Sequence, residues 1–368
     1  SYRKSTIEQI EKITLKIIEE IHSENFPKIT YCNRPSEDLN STVQKPPDQQ
    51  SSDVSIPVEK EEDDSLKLTK NMTTVDFRLK RSRKNLVLII TVMSHVHKML
   101  INGTTRTRRS LYYELQSEPT AGIVRNQRIL DDAVNHVASL LERAPWELGF
   151  TATSKGLVCG DLDLTFSGQD LVNCNIPGGM LIPQNIYRVI SARTTAKYVL
   201  VVEKDAVFQK LLNEDCANYL NCILITGKGY PDVNTRMLVS LLGNKLNIPV
   251  YVIVDADPFG VEIMCIYRFG SSLRSRENQQ LSCPIVRWVG IHPSEYSGLG
   301  ISPMILTNAD KARLASLQDR SYIDDKLSNE LKIMGKKGKV EIEAVANLSH
   351  RFLTNVYLPR KINAQEFF

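Results

Sequence analysis

The chain has 368 residues, of which 42% are hydrophobic, so it is long enough for two ordinary domains with buried cores. Its formal net charge of +4 is only mildly basic, so nucleic-acid binding cannot be inferred from the total charge. Its seven cysteines include no CxxC pair, which argues against a zinc or disulfide framework and favours reduced thiols in an intracellular protein. We find no run of roughly 18 apolar residues and no signal-peptide pattern, so we expect neither secretion nor a membrane span.

The N-terminal segment predicts an amphipathic helix from Ser5 to Glu20, because isoleucines recur along it at helical spacing. Its apolar stripe needs a partner surface, and the sequence leaves open whether that surface is this chain's own core or another subunit. The following stretch, residues 33–65, is rich in Pro, Ser, Gln, Asp and Glu and has too little apolar surface to offset the entropy of ordering. We therefore predict an amphipathic helix within residues 1–32, as a candidate element for partner docking, and a disordered linker over residues 33–70.

A helical region follows this linker. Apolar stripes predict one helix from Leu86 to Leu100 and another from Ile129 to Leu141, with the short segment Thr107–Tyr113 between them. After the second helix, residues 148–160 alternate in polarity around a Lys-Gly turn, which is typical of a small hairpin. Short helices followed by a hairpin are the layout of a winged-helix (CAP-like) DNA-binding domain, which we expect over residues 71–165.

From Tyr198 onward the pattern changes to short apolar runs separated by helical segments. The runs Tyr198–Val202, Cys222–Ile225 and Val250–Val254 are rich in β-branched residues and nearly continuous in apolar character. Strands of this kind occur in parallel sheets that are covered on both faces. We therefore predict a multidomain α/β chain, with a parallel-sheet α/β domain over residues 166–368.

Acidic residues follow two of these predicted strands. Glu203 comes directly after the first strand, and Asp255 and Asp257 come at the end of the third. Open parallel sheets bind ligands beyond the carboxyl ends of their strands, and residues two apart in an extended chain point the same way. Carboxylate oxygens of this number and type suit Mg²⁺. The alternative is that Asp255–Pro258 is only a helix-starting turn with an N-cap, which the Asp-Ala-Asp pattern alone leaves open.

Tyr113 is the candidate nucleophile. A tyrosine hydroxyl is a poor nucleophile unless a neighbouring cation or metal stabilises the developing phenolate. Arg109 lies four residues before Tyr113, which on a helix places both side chains on one face. Its guanidinium could hold a phosphate and stabilise charge in the transition state. Alternatively, the tyrosines and arginines here form an ordinary amphipathic surface.

These segments together resemble the family of Spo-eleven and the topoisomerase VI A subunit. Arg109–Tyr113 is similar to the family's Arg-Asp-Ile-Tyr-Tyr motif, and two acidic segments are similar to the motifs of its Toprim domain, Val202–Asp205 and Val254–Asp257. Further matches run from about Thr107 to Pro359 and include Ser154–Leu157, Ile225–Gly229, Pro231–Asp232, Thr235–Arg236 and Gly260. The chain departs from the family at Ser110, where Asp is usual, and at Phe259, where His is frequent.

The resemblance implies a winged-helix domain followed by a Toprim domain. It also implies a Mg²⁺-dependent transesterase that resembles the type II, ATP-dependent family of DNA topoisomerases and belongs to the isomerase class. By this resemblance, Tyr113 of this chain would attack DNA and become linked to the 5′ end, and Arg109 would be the catalytic arginine. The remaining implied roles are Mg²⁺ ligation by Glu203, Asp255 and Asp257, and DNA binding by Lys155, Arg108 and Arg236.

The resemblance also implies partners. They are double-stranded DNA, a second copy of the chain whose metal site works with this chain's tyrosine, meiotic accessory proteins and a topoisomerase VI B-like ATPase-type subunit, without a membrane. The implied function is the DNA double-strand cleavage that initiates meiotic recombination, in the nucleus. Two other functions stay open: a hydrolytic Toprim nuclease, which forms no covalent adduct, and a non-catalytic DNA-binding protein that retains the fold.

Overall fold

The computed structural model describes residues 2–32, 72–117, 120–168, 171–270 and 280–368. The predicted linker, residues 33–70, lies outside the described residues. The chain divides into two compact units, Ser1–Thr151 and Ala152–Phe368. All seven cysteines are free, and six of them are buried.

The first unit is built mainly from helices. Its elements are α1 (Tyr2–His22), β1 (Lys28–Cys32), β2 (Met72–Asp76), α2 (Lys80–Asn102), β3 (Arg106–Thr107), α3 (Arg108–Leu115), α4 (Gln127–Leu140) and β4 (Phe150–Thr151). Strands β1 and β2 pair antiparallel, and the short strands β3 and β4 pair parallel. The three helices expected from apolar periodicity are present as α1, α2 and α4, with somewhat different ends.

Helix α2 forms the centre of the first unit. It is long and apolar enough to cross a membrane by length and composition alone. However, Ile89, Val92 and Val96 are fully buried in a core that also includes residues of α1, α3 and α4. A buried core helix passes the same length test, so these contacts favour a core role for α2.

Helix α1 uses one of its apolar faces inside the first unit. Ile10 and Ile17 are buried in the core described above. Leu15, Ile18 and Ile21 lie on another part of the helix surface and are 59%, 55% and 58% exposed. One face therefore packs on this chain's own core, while these three side chains remain accessible.

The second unit is α/β. Its strands are β5 (Leu157–Cys159), β6 (Asp163–Phe166), β7 (Leu171–Asn173), β8 (Met180–Leu181), β9 (Val189–Arg193), β10 (Tyr198–Val202), β11 (Cys222–Thr226), β12 (Val250–Ile253) and β13 (Val286–Gly290). Its helices are α5 (Asp205–Asn213), α6 (Cys216–Tyr219), α7 (Val233–Ser240), α8 (Pro258–Phe269), α9 (Tyr296–Leu299), α10 (Asn308–Gln318), α11 (Asp325–Lys337), α12 (Ile342–Ala346) and α13 (Leu358–Asn363). Short 3-10 turns cover Ile186–Arg188 and Pro293–Glu295, and π-helical turns cover Leu241–Lys245 and Leu353–Tyr357.

Among the residues that the structure describes, its main sheet has six strands in the order β13-β12-β10-β11-β5-β8. The first four run parallel, while β5 and β8 join antiparallel. Every residue of β10, β11 and β12 is buried, as expected for strands covered on both faces. The predicted parallel sheet is therefore confirmed, and the carboxyl ends of these strands lie at one edge. A second sheet, β7-β6-β9, is antiparallel.

Residues 148–160 do not form the expected hairpin. Phe150–Thr151 pairs with Arg106–Thr107, whereas Leu157–Cys159 pairs with β11 of the main sheet. Val158 is fully buried there, because an apolar strand is stabilised by joining a sheet more than by standing in a solvated hairpin. The prediction of a hairpin at this position is wrong.

Candidate active site

Helix α3 carries the candidate nucleophile. The hydroxyl of Thr107 caps the helix by accepting a hydrogen bond from the Ser110 N–H at 3.1 Å. Leu111 and Leu115 anchor one face of the helix in the core of the first unit. This packing leaves another face in solvent, where Tyr113 is 57% exposed.

The two adjacent tyrosines have different surroundings. Arg109 Nε donates to the Tyr113 hydroxyl at 3.1 Å, and its guanidinium lies 5.4 Å from the Tyr113 ring centre. The Tyr112 ring packs against the core, and its hydroxyl accepts a hydrogen bond from Gln116 Nε2 at 2.7 Å. Tyr113 is thus the tyrosine that is accessible and has a cation on its hydroxyl oxygen, as a nucleophile requires.

Ser110, which stands where the family usually has Asp, has a different partner from Arg109. Its hydroxyl accepts a hydrogen bond from Arg106 Nη2 at 3.3 Å, and the same nitrogen donates to Glu114 Oε2 at 2.5 Å. These contacts lie on the side of α3 next to the Arg109–Tyr113 face. The substitution therefore leaves the Arg109–Tyr113 hydrogen bond in place.

The three predicted metal ligands lie at the carboxyl edge of the parallel sheet. Glu203 follows β10, and its Oε2 accepts a hydrogen bond from the Asp255 N–H at 2.8 Å, which ties together the ends of β10 and β12. Asp257 Oδ1 caps α8 by accepting from the Gly260 N–H at 2.7 Å. The N-cap interpretation is therefore correct for Asp257, and a single capping bond does not exclude metal ligation by the same carboxylate.

Burial acts strongly on two of these carboxyl groups. Burial, followed by the nearby charge of Asp255, raises the pKa of Glu203 to about 8. Burial also raises the pKa of Asp255 to about 6, although hydrogen bonds from the Ile342 N–H and Lys204 act in the opposite direction. A bound cation stabilises the charged form of such groups. The carboxylate oxygens of buried Asp255 and of the partly buried Glu203 and Asp257 therefore fit a hard divalent ion such as Mg²⁺.

The same carboxylates do not form a ready-made metal centre. Asp255 Oδ1 accepts a hydrogen bond from the Ile342 N–H at 2.8 Å, and its Oδ2 lies 3.0 Å from Lys204 Nζ. Among the residues that the structure describes, no group of three or more His, Cys, Asp or Glu side chains could hold a metal ion as they stand. An ammonium group thus contacts Asp255 where the sequence pattern predicts a cation.

The residues after Asp257 explain the close approach of α8 to the strand ends. A Cβ atom on Gly260 would lie 2.4 Å from the Asp255 carbonyl oxygen and 3.0 Å from Glu203 Oε2, so only glycine fits. Phe259, which replaces the frequent His, has the Arg313 guanidinium 5.4 Å from its ring centre. This contact is a cation–π interaction that a neutral polar ring would make less well.

Lys155 lies in the second unit, not in a wing. Its backbone N–H and that of Gly156 donate to Asp232 Oδ2 at 3.0 and 3.2 Å, which fixes the loop against the start of α7. The Lys155 side chain is exposed, and its Nζ donates to the Lys228 carbonyl at 3.2 Å. In the sequence, Asp232 is recognisable only as part of a family motif. Its role in anchoring the Lys155 loop could not be predicted, because the hydrogen bonds come from residues distant in the chain.

The two predicted DNA-contacting arginines are less accessible. Arg236 is only 3% exposed within α7. The Arg108 side chain is 19% exposed and its Nη1 lies 3.7 Å from Asp131 Oδ1. Burial of Arg236 favours a structural role, so Lys155 is the most accessible of the three predicted DNA contacts.

Comparison with known proteins covers both units. Residues 198–362 match the family described as the Toprim domain of Spo11 and the topoisomerase 6 A subunit, and residues 84–150 match "Type IIB DNA topoisomerase". The chain is 38% identical over 290 residues to "Meiotic recombination protein SPO11" of Homo sapiens, covering 77% of this chain and 72% of that protein. It is 38% identical over 297 residues to "Meiotic recombination protein W68" of Drosophila melanogaster, covering 80% and 87%. It is also 29% identical over 312 residues to the A subunit of DNA topoisomerase 6 of Arabidopsis thaliana, covering 83% and 72%.

Proposed function

The chain belongs to the family of Spo11 and the topoisomerase VI A subunit, and on this basis we propose that it makes the DNA double-strand breaks that initiate meiotic recombination. The proposed reaction is transesterification by tyrosine. The observation that carries this proposal is the exposed Tyr113 hydroxyl with Arg109 Nε 3.1 Å from its oxygen. A buried tyrosine without a cation would not suit attack on a phosphodiester.

In the proposed reaction the Tyr113 hydroxyl oxygen attacks a backbone phosphorus atom of double-stranded DNA. The tyrosine hydroxyl gives up its proton as its oxygen bonds to phosphorus, and the bond from phosphorus to the 3′ oxygen breaks. The 3′ oxygen takes up a proton and leaves as a hydroxyl, and the 5′ phosphate stays on the tyrosine. Arg109 holds the phosphate and stabilises the negative charge that develops on its oxygens. The phosphotyrosine bond conserves the energy of the broken bond, so cleavage itself needs no ATP.

Toprim domains generally bind Mg²⁺, and residues 198–362 form such a domain. Glu203, Asp255 and Asp257 would hold the ion, and their position at one sheet edge with raised pKa values for the first two supports this assignment. When bound, Mg²⁺ would stabilise charge on the phosphate and sugar oxygens. Lys155, exposed on a loop beside the same sheet edge, would contact the DNA backbone.

The first unit would bind DNA as a winged-helix domain. Support comes from helices α2, α3 and α4 and from the match of residues 84–150 to a type IIB topoisomerase family, although residues 148–160 do not form the hairpin of a wing. The proposed domains are residues 1–32, 33–70, 71–165 and 166–368. The structural division after Thr151 and the pairing of β5 with β11 favour an earlier boundary between the last two.

The family also supports two partners, DNA and a B-type subunit. We propose a homodimer in which the tyrosine of one protomer works with the metal site of the other, acting with meiotic accessory proteins in the nucleus.

The exposed side chains Leu15, Ile18 and Ile21 on α1 are the proposed contact for a B-like ATPase-type subunit. The double variant Leu15→Glu/Ile18→Glu should lose co-purification of that subunit while keeping its melting temperature. Retained binding would refute this contact.

The chemistry of the DNA ends distinguishes the proposed function from its rivals. Duplex DNA labelled at its 5′ or 3′ ends would be incubated with the protein and Mg²⁺ at low salt, since phosphate contacts weaken steeply with salt. Protein covalently attached to 5′ ends supports the transesterase. Free 5′ phosphates would indicate the hydrolytic nuclease, and DNA binding without cleavage, even with a B-type subunit present, would indicate a non-catalytic protein.

A further inference from the structure

Lys204 lies among three carboxylates beside the proposed metal site. Its Nζ is 2.7 Å from Glu343 Oε2, 3.0 Å from Asp255 Oδ2 and 3.3 Å from Glu341 Oε2. The Lys204 side chain is 25% exposed, while that of Asp255 is 8% exposed. One ammonium group therefore neutralises part of a cluster that carries more negative than positive charge.

The same cluster connects the strand end to the segment before α12. The Ile342 N–H donates to the other oxygen of Asp255, and Ala256 pairs with Val340 in an isolated antiparallel bridge. Glu341 and Glu343 stand on either side of Ile342. They are 55% and 37% exposed, so they are better hydrated than Asp255.

The positions of these groups matter for cation binding, because Lys204 and a metal ion would both use oxygens of Asp255. A divalent cation and an ammonium group close to one carboxylate repel each other strongly, and this repulsion is twice that between two single charges at the same distance. Lys204 need not leave the cluster to relieve this repulsion. A small movement away from Asp255 keeps its contacts with Glu341 and Glu343, which already lie within ion-pair distance.

We propose that Lys204 is a tethered cation that holds Asp255 in place and shifts onto Glu341 and Glu343 when a divalent cation binds. Lys204 is then a positioning residue. The exchange is the movement of its ammonium group from Asp255 to Glu341 and Glu343 while the divalent cation takes its place at Asp255, and the two glutamates make this movement possible. This inference rests on the proposed Mg²⁺ site, and it adds that the protein's own lysine sets the affinity of that site.

The test measures Mg²⁺ binding to the full chain by titration calorimetry, without DNA and without an activity readout. Lys204→Met should bind Mg²⁺ at least roughly ten-fold more tightly than the wild type, because the competing charge is gone. Lys204→Arg keeps the charge and should stay within a few-fold of the wild type. Lys228→Met removes an equal charge that pairs with Asp205 instead, and it should change the affinity much less.

A double-mutant cycle separates exchange from general electrostatics. Glu341→Gln/Glu343→Gln should weaken Mg²⁺ binding in the wild-type background, because Lys204 loses the acceptors that let it leave Asp255. In the Lys204→Met background the same pair of changes should have little effect. Equal weakening in both backgrounds would show a long-range charge effect and would overturn the exchange.

The outcomes also separate this inference from the function on which it rests. If the wild type binds no Mg²⁺, the proposed metal site fails and the exchange fails with it. If the wild type binds Mg²⁺ but Lys204→Met binds it equally or more weakly, only the role of Lys204 is overturned. Lys204→Gln takes the place of Lys204→Met should the latter fail to fold, with the same expected direction.

Discussion

The charge state of Glu203 gives a prediction that can be worked out from the structure. Burial and the neighbouring Asp255 raise its pKa from 4.5 to about 8. An acid whose pKa is higher in the folded state stabilises the fold fully below its unfolded pKa and loses that contribution as pH rises toward the folded value. Without divalent ions, the second unit should therefore become less stable between about pH 4.5 and pH 8.

Each unit of pKa shift corresponds to about 1.4 kcal/mol, so the shift of Glu203 corresponds to a loss of up to about 5 kcal/mol across this range. The control is Glu203→Gln, which removes the titrating group but keeps an oxygen that can accept the Asp255 N–H bond. Stability would be measured by urea unfolding in EDTA with Trp288 fluorescence as the probe, in a Trp146→Phe background that removes the chain's other tryptophan. The wild type should lose stability from pH 5 to pH 8 much more than Glu203→Gln does.

Mg²⁺ should reverse this loss at pH 8, because the ion binds the deprotonated carboxylates and adds stability by mass action. At pH 5 the same concentration of Mg²⁺ should have little effect. Identical pH profiles for the wild type and Glu203→Gln would refute the argument that burial controls the charge of Glu203. Equal stabilisation of both proteins by Mg²⁺ would instead refute ligation by this residue.

Three further substitutions test the local structure around the site. Gly260→Ala should destabilise the second unit by about 1–3 kcal/mol, because the clash of the new Cβ atom with the Asp255 carbonyl outweighs a helix-propensity gain of about 1 kcal/mol. An unchanged melting temperature would contradict this. Ser110→Asp should stabilise the first unit by about 0.5–1 kcal/mol through a capping box and the helix dipole, and lower thermal stability would show that repulsion from Glu114 dominates. Asp232→Ala should release the Lys155 loop, weaken DNA binding and reduce the salt slope by about 1, whereas an unchanged slope in filter binding would argue against a phosphate contact by Lys155.

Local sequence patterns predicted the elements that carry the candidate site. The strand predicted at Tyr198–Val202 has those bounds in the structure, and its neighbours β11 and β12 differ from prediction by one residue at their ends. These strands were recognisable because continuous apolar runs bounded by polar residues have few other stable placements. The spacing of Arg109 and Tyr113 likewise determines that they meet once the segment is helical.

Pairings between distant segments could not be predicted in the same way. The pattern of the three-residue strand Leu157–Cys159 suits a hairpin equally well, and its place in the main sheet depends on pairing with β11, which is distant in the chain. The contacts of Lys204 with Glu341 and Glu343 join segments more than a hundred residues apart, and no local periodicity encodes them. The packing partner of the amphipathic N-terminal helix could not be predicted for a related reason. Its apolar pattern shows that the helix packs on a surface, but not which surface that is.

The central claim, cleavage by Tyr113, is tested most directly by comparing Tyr113→Phe with Tyr112→Phe in a Mg²⁺-dependent cleavage reaction on duplex DNA. The protein would be digested after denaturation, and the peptide attached to the 5′ end would be identified by mass spectrometry. The proposed function predicts an adduct on the peptide that contains Tyr113, absent in Tyr113→Phe and still formed by Tyr112→Phe. An adduct that persists in Tyr113→Phe, or cleaved ends that carry no protein in the wild type, would contradict it.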